Sequence, residues 1–148
     1  MADINSIVVQ ARSLREGIDR LLRSSAYREF CDLSGLEINY RDSEQLFLLN
    51  EFQSIMEKLD DVEDAIRYIA KPVREMGKLR KNASGRYELY SGHEYHCGSV
   101  IEALVSDERY DVPYWVRTRV EHDGVDYYLV GYREVPMQGL TVRVRENA

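Results

Sequence analysis

Two cysteines, Cys31 and Cys97, are all that the 148-residue chain contains, and they fall in different halves. So sparse a supply excludes a disulfide-stapled scaffold, and two free thiols are expected. No apolar run approaches the length needed to span a bilayer. The start, Met1-Ala2-Asp3-Ile4-Asn5, lacks a basic region followed by an apolar stretch, so no signal peptide is expected and the expected compartment is the cytoplasm. Positive charge is short as well. Lys and Arg number 20 against 26 Asp and Glu, a formal net charge of -6. That argues against a protein that coats nucleic acid generally, while leaving room for a local basic face. Gly-x-Ser-x-Gly, a phosphate-binding glycine loop and His-Glu-x-x-His are all missing. The chain is therefore expected to be no enzyme and to carry no cofactor.

What is present suits a folded protein. Hydrophobic residues make up 44% and charged residues 31%. In the first half, Ile4, Ile7, Ala11, Leu14, Ile18 and Leu21 recur in steps of three and four, which predicts an amphipathic helix from residue 3 to about 24 with Asp3 as its N-cap. Ala26 to Leu33 reads as a further short helix, stopped by Ser34-Gly35 with Gly at C′. Leu36, Ile38 and Tyr40 alternate as in a short strand. Leu48, Phe52, Ile55, Leu59, Val62, Ile66 and Ile69 predict a long second helix from Asp42-Ser43 to Ala70, with Asp42 and Gln45 spaced as a capping box. Each helix has one apolar stripe and needs a partner. The simplest solution is antiparallel packing as a helical hairpin or small bundle, and self-association through the same stripes competes with it.

Helical periodicity ends before a basic stretch and period-two alternation begins after it. The expected division is a helical domain at 1–75, a basic linker at 76–85 and a β domain at 86–148. Strands are predicted at Arg86–Tyr90, Val100–Val105, Tyr114–His122, Val125–Tyr132 and Leu140–Arg145. Asp123-Gly124 between two β-rich runs suits a two-residue hairpin turn, whose central positions need φ > 0. The fold class is α+β: an N-terminal antiparallel helical hairpin or small bundle followed by a small antiparallel β-barrel-like domain or a strongly curved sheet.

Four constellations are candidates for function. Asp42, Glu44, Glu51, Glu57, Asp60, Asp61, Glu63 and Asp64 are opposed in their window only by Lys58. A helix so charged can imitate a nucleic acid and occupy a basic groove on a protein partner, although a solvated helix face is the plainer reading. Arg117, Arg119, Arg143 and Arg145 lie on strands with Trp115 in phase with the first two, and eight of the eleven tyrosines fall between Tyr87 and Tyr132. Such a face can hold single-stranded nucleic acid by stacking and phosphate contacts; tyrosines filling a small barrel are the plainer account. Lys78, Arg80, Lys81 and Arg86 add a basic strip at the boundary. His93, His96 and Cys97, with His122, offer zinc-ligand chemistry, and Glu94, His96, Glu121 and His122 an acid/base set, but turn and surface roles explain them better.

Gly85-Arg86-Tyr87-Glu88-Leu89, Gly98-Ser99-Val100-Ile101-Glu102, Trp115, Arg117 to Glu121, His122-Asp123-Gly124, Tyr127-Tyr128-Leu129-Val130-Gly131 and Gly139-Leu140-Thr141-Val142-Arg143 together form a spaced pattern. From about Gly85 to Arg145 the chain resembles a bacterial family, domain of unknown function 5348, found in small proteins, many of them linked to plasmids, phages and conjugative elements. The resemblance implies a small β-barrel-like domain and supplies no activity and no site residues. The functional expectation is a non-enzymatic interaction module of a mobile element that binds a protein partner. Its specific form would be an inhibitor of a host defence nuclease, as anti-CRISPR proteins are. A nucleic-acid-binding accessory protein using the Arg/Tyr face is the alternative. A homodimer through the helical stripes is left open.

Overall fold

The computed structural model describes residues 1–147 and divides into two compact units between Ala70 and Lys71. The first unit holds α1 (Ile4–Ser24), α2 (Tyr27–Phe30) and α3 (Ser43–Ala70). Asp3 caps α1 by accepting from the Asn5 N–H at 3.3 Å. Asp42 does the same for α3, accepting from Glu44 N at 2.9 Å and Gln45 N at 3.4 Å. The reciprocal half of the expected capping box does not form. Gln45 instead accepts from Asn39 N at 2.8 Å and so pins the incoming loop.

Between the long helices the chain departs from expectation. Helix α2 is a single turn, flanked by Ala26 (φ 57°) and Cys31 (φ 56°) in the left-handed conformation. Cys31 therefore does the terminating work assigned to Gly35. Gly35 serves close packing instead: a Cβ there would stand 2.8 Å from Ala26 Cβ and 3.1 Å from the Phe30 ring. Leu36 to Tyr40 forms no strand.

The apolar stripes are wider than the contact between the helices. Helices α1 and α3 run antiparallel, with Arg15 meeting Glu63 while Ile18 and Leu22 share a core with Met56, Tyr27 and Leu33. On α1 the buried line is Ile18 and Leu22, with Val8 and Ala11 half-buried; Ile4, Ile7, Leu14 and Leu21 are exposed. On α3, Met56 and Glu63 are buried and Leu49 and Leu59 half-buried, whereas Leu48, Phe52, Ile55, Val62 and Ile69 are exposed.

The second unit is built from β1 (Val73–Lys78), β2 (Arg80–Lys81), β3 (Tyr87–Glu88), β4 (Glu94–Tyr95), β5 (Val100–Val105), β6 (Tyr114–His122), β7 (Tyr127–Leu129) and β8 (Thr141–Arg145). A five-stranded antiparallel sheet has the order β1-β8-β5-β6-β7, and a second sheet the order β2-β3-β4. The sheets are not closed into a barrel, because β1 and β7 remain as edges of the larger one. Ile101, Ala103, Val105, Val120, Val142 and Val144 turn one way from the larger sheet and pack with Leu79, Leu89, Tyr87 and Tyr95. Residues 76–85, expected as a linker, contribute the end of β1 and all of β2. Strand β1 escapes a period-two reading because its side chains alternate between exposed and only half-buried.

The Asp123-Gly124 hairpin forms with a different turn. His122 pairs with Tyr127, so the loop has four residues, 123–126. The Asp123 carboxylate accepts from both Val125 N and Asp126 N at 2.9 Å, which closes the loop through a side chain rather than a two-residue turn. Gly124 supplies the positive φ, 94°.

Candidate functional site

One residue organises the helical unit. Glu63 is 2% exposed on α3, yet it carries a carboxylate between two helices. Arg15 Nε donates to its Oε1 at 2.9 Å, and Arg28, from α2, donates to Oε2. Burial alone would push its carboxyl upward; the hydrogen bonds from Arg15 and Arg28 and the charges of Arg28 and Arg67 hold it below the ordinary carboxylate value. Around it Asp19, Asp60, Arg23 and Arg67 extend the network, with Arg28 3.5 Å from Asp60 and 3.4 Å from Asp19, and Arg23 3.1 Å from Asp19. Arg67 also pairs with Asp64. This is one side of the hairpin: a shallow polar cleft of about 320 Å³, lined by Arg12, Arg15, Asp19, Arg28, Glu63 and Arg67 among others.

The acidic residues of α3 do not share a face. At about 100° per residue, Glu51, Asp61, Asp64 and Glu63 point to four different sides of the helix. Asp42 is occupied as the N-cap, Glu63 is buried, and Asp60 and Asp64 are paired to arginines. Glu44, Glu51, Glu57 and Asp61 are exposed. Asp60, Glu63 and Asp64 bring carboxylate oxygens within 4.8 Å of one another, but arginines already neutralise that group.

The opposite side of the hairpin carries two apolar rows, flanked on α3 by the exposed Glu44, Glu51 and Lys58. Ile7, Leu14 and Leu21 are spaced seven apart and form one row along α1, turned roughly 60° from the line through Ile18 and Leu22. Leu48, Ile55, Val62 and Ile69 are also spaced by sevens and form a row on α3, turned roughly 90° from the line through Met56 and Glu63. The two offsets have the same rotational sense. Because the helices are antiparallel, both rows come out on the same side. Leu14 is 60% exposed, Ile7 47%, Leu48 42% and Ile55 38%. At the loop end, Leu33, Leu36, Ile38, Leu48 and Phe52 line an apolar hollow continuous with the α3 row.

In the sheet unit the arginines expected to form a nucleic-acid face are held by a carboxylate that sequence reasoning passed over. Glu102, 5% exposed on β5, stands opposite Arg117 on β6 and Arg143 on β8. Arg143 donates to it at 2.8 Å and Arg145 at 2.6 Å; Arg145 also donates to the Lys71 carbonyl. Arg143 lies over the Trp115 ring at 4.3 Å, so that ring face is covered. Arg119 pairs with Glu121 at 3.0 Å. Arg117 is exposed on the same face. The boundary strip is also paired, Arg80 with Glu88, Lys81 with Asp126 and Arg86 with Glu94. The one sequence signal for Glu102 is a carboxylate inside the otherwise apolar run Val100–Val105.

His93, His96, Cys97 and His122 are exposed, and among the described residues they do not come together as a ligand set. His122 Nδ1 accepts from Gly124 N, Glu121 is bound to Arg119, and Glu94 accepts from Arg86 and Asn82, so the acid/base set is dispersed. Cys31 and Cys97 are free thiols. No helix among the described residues is long and apolar enough to cross a membrane. No curated protein and no solved structure matches the chain. Residues 77–144, just under half of the chain and all within the sheet unit, match the family described as domain of unknown function (DUF5348).

Proposed function

We propose that the protein is a non-enzymatic interaction module whose working surface is the apolar side of the helical hairpin. The observation that carries this reading is the pair of uncovered rows, Ile7–Leu14–Leu21 and Leu48–Ile55–Val62, brought to one side of a hairpin whose other side is polar. A soluble surface seldom exposes so much contiguous apolar area without a use for it. The narrower form, a mobile-element product that inhibits a host nuclease by charge mimicry, draws on the exposed carboxylates Glu44, Glu51, Glu57 and Asp61 of α3 alone. Nucleic-acid binding through Arg117 and its neighbours draws less support, since Arg119, Arg143 and Arg145 are paired to carboxylates.

The test is retention of binding partners from a nuclease-treated bacterial lysate by the full chain and by a Leu14→Glu/Ile55→Glu variant. Both positions are exposed, so folding is expected to survive, which far-UV circular dichroism checks. Loss of retained protein in the variant is the expected result. Equal retention by both chains would sink the reading.

A further inference from the structure

We infer that the apolar side of the hairpin is covered by a second copy of this chain, the two hairpins closing into an antiparallel four-helix bundle. The inference rests on the interaction-module reading and names its partner.

Three features point to self-pairing. The first is area. Ile7, Leu14, Leu21, Leu48, Ile55 and Val62, with Phe52, expose on the order of 600 Å² of surface, so two copies bury about 1,200 Å² before any polar rim is added, within the range of specific interfaces. The second is the repeat. Rows spaced by sevens on both helices are the seam of bundle packing, in which side chains of one helix enter gaps of its neighbour. Such a gap is present on α1, where a shallow groove lined by Gln10, Ser13, Leu14 and Arg20 lies over Gly17. A Cβ on Gly17 would meet nothing closer than 3.9 Å, so the space is open.

The third is charge. Outside the polar cleft, Arg20 is the one charged residue of α1, whereas α3 carries Glu44, Glu51, Glu57 and Asp61 against Lys58. A two-fold axis that sets α3 on α3 brings these carboxylates together. An axis that sets α1 of each copy on α3 of the other keeps them apart and faces them with a helix whose one charge outside the cleft is positive, so the charges favour this second arrangement. The acidic α3 also disfavours an anionic membrane surface as the occupant.

The experiment is sedimentation velocity on the full chain over a concentration series reaching about 100 μM, a range that covers micromolar dissociation constants. The wild-type chain is expected to sediment as a dimer at the upper concentrations. Leu14→Glu and Ile55→Glu, made singly, are each expected to weaken dimerisation at least tenfold with the helical circular dichroism unchanged. Arg12→Glu, on the polar side, is expected to leave it within twofold. A wild-type chain monomeric throughout overturns self-pairing, as does a dimer that both apolar-row variants leave intact. If the chain is monomeric while Leu14→Glu/Ile55→Glu abolishes capture of another protein, self-pairing fails and the interaction module survives. If that variant changes neither property, both fail.

Discussion

Glu63 shows how much a single residue can decide and how little its identity announces it. In the sequence it is one acid in a run of acids; in the fold it is the only member of that run, among the described residues, that is buried. Arg15 reaches it from α1 and Arg28 from α2, so one carboxylate ties three helical elements together. Removing it leaves two guanidinium groups without their shared partner in a half-buried setting. Glu63→Ala is expected to destabilise the helical unit by about 2–3 kcal/mol, somewhat less than for a fully buried broken pair because both arginines keep some solvent contact. Urea unfolding followed at 222 nm measures it, and a loss under about 0.5 kcal/mol would mean that the network acts as a surface ion pair. Asp123 is the comparable residue of the sheet unit. Backbone N–H groups of Asp126 and Val125, aided by Arg133, hold its carboxyl down at about 2. A carboxyl lowered by folding stabilises the fold above its unfolded value near 3.8 and loses that contribution as the pH falls through about 2. The Asp123→Asn chain keeps an oxygen acceptor and is expected to lack that part of the acid-dependent loss. A carbon-detected NMR titration in which Asp123 protonates near 4 would contradict the loop geometry.

At the scale of elements, the long helices and the longer strands were legible and the short elements were not. Helix α3 runs from Ser43 to Ala70, as its spacing and Asp42 cap predict, and β5 and β6 span Val100–Val105 and Tyr114–His122, as alternation predicts. These segments repeat their signal over enough residues for the period to emerge. Strands β2, β3 and β4 have two residues each and carry no period. The stop of the short helix is expected at Gly35 because glycine is the usual left-handed residue, whereas Cys31 adopts that conformation and Gly35 is needed for close approach. Gly35→Ala is expected to cost about 1–3 kcal/mol through overpacking against Ala26 and Phe30. Thermal unfolding of the full chain checks this, and an unchanged midpoint would show that the turn can shift to accept a methyl group.

Across the whole molecule, the charge is divided unevenly. Residues 1–70 hold fourteen Asp and Glu against eight Lys and Arg, while residues 71–148 hold twelve of each, so the net charge of -6 sits in the helical unit. A neutral sheet unit whose basic residues are mostly paired has little to release from a phosphate backbone. Binding of a fluorescent oligothymidine is therefore expected to be undetectable at tens of micromolar protein and about 0.15 M salt, and unchanged by Arg117→Ala. Tight, salt-sensitive binding lost in that variant would revive the nucleic-acid reading. The sequence by itself determined the division into a helical half and a strand half, the caps Asp3 and Asp42, and the antiparallel character of the sheets. Each of these follows from local period or from a side chain bonding its own neighbours. Only the tertiary structure decided which part of each apolar stripe is buried, that Glu63 and Glu102 lie under arginines, and that the sheet stays open. Those outcomes depend on the rotation of one helix against another and on residues 40 or more positions apart, such as Glu102 and Arg143, about which local period carries no information.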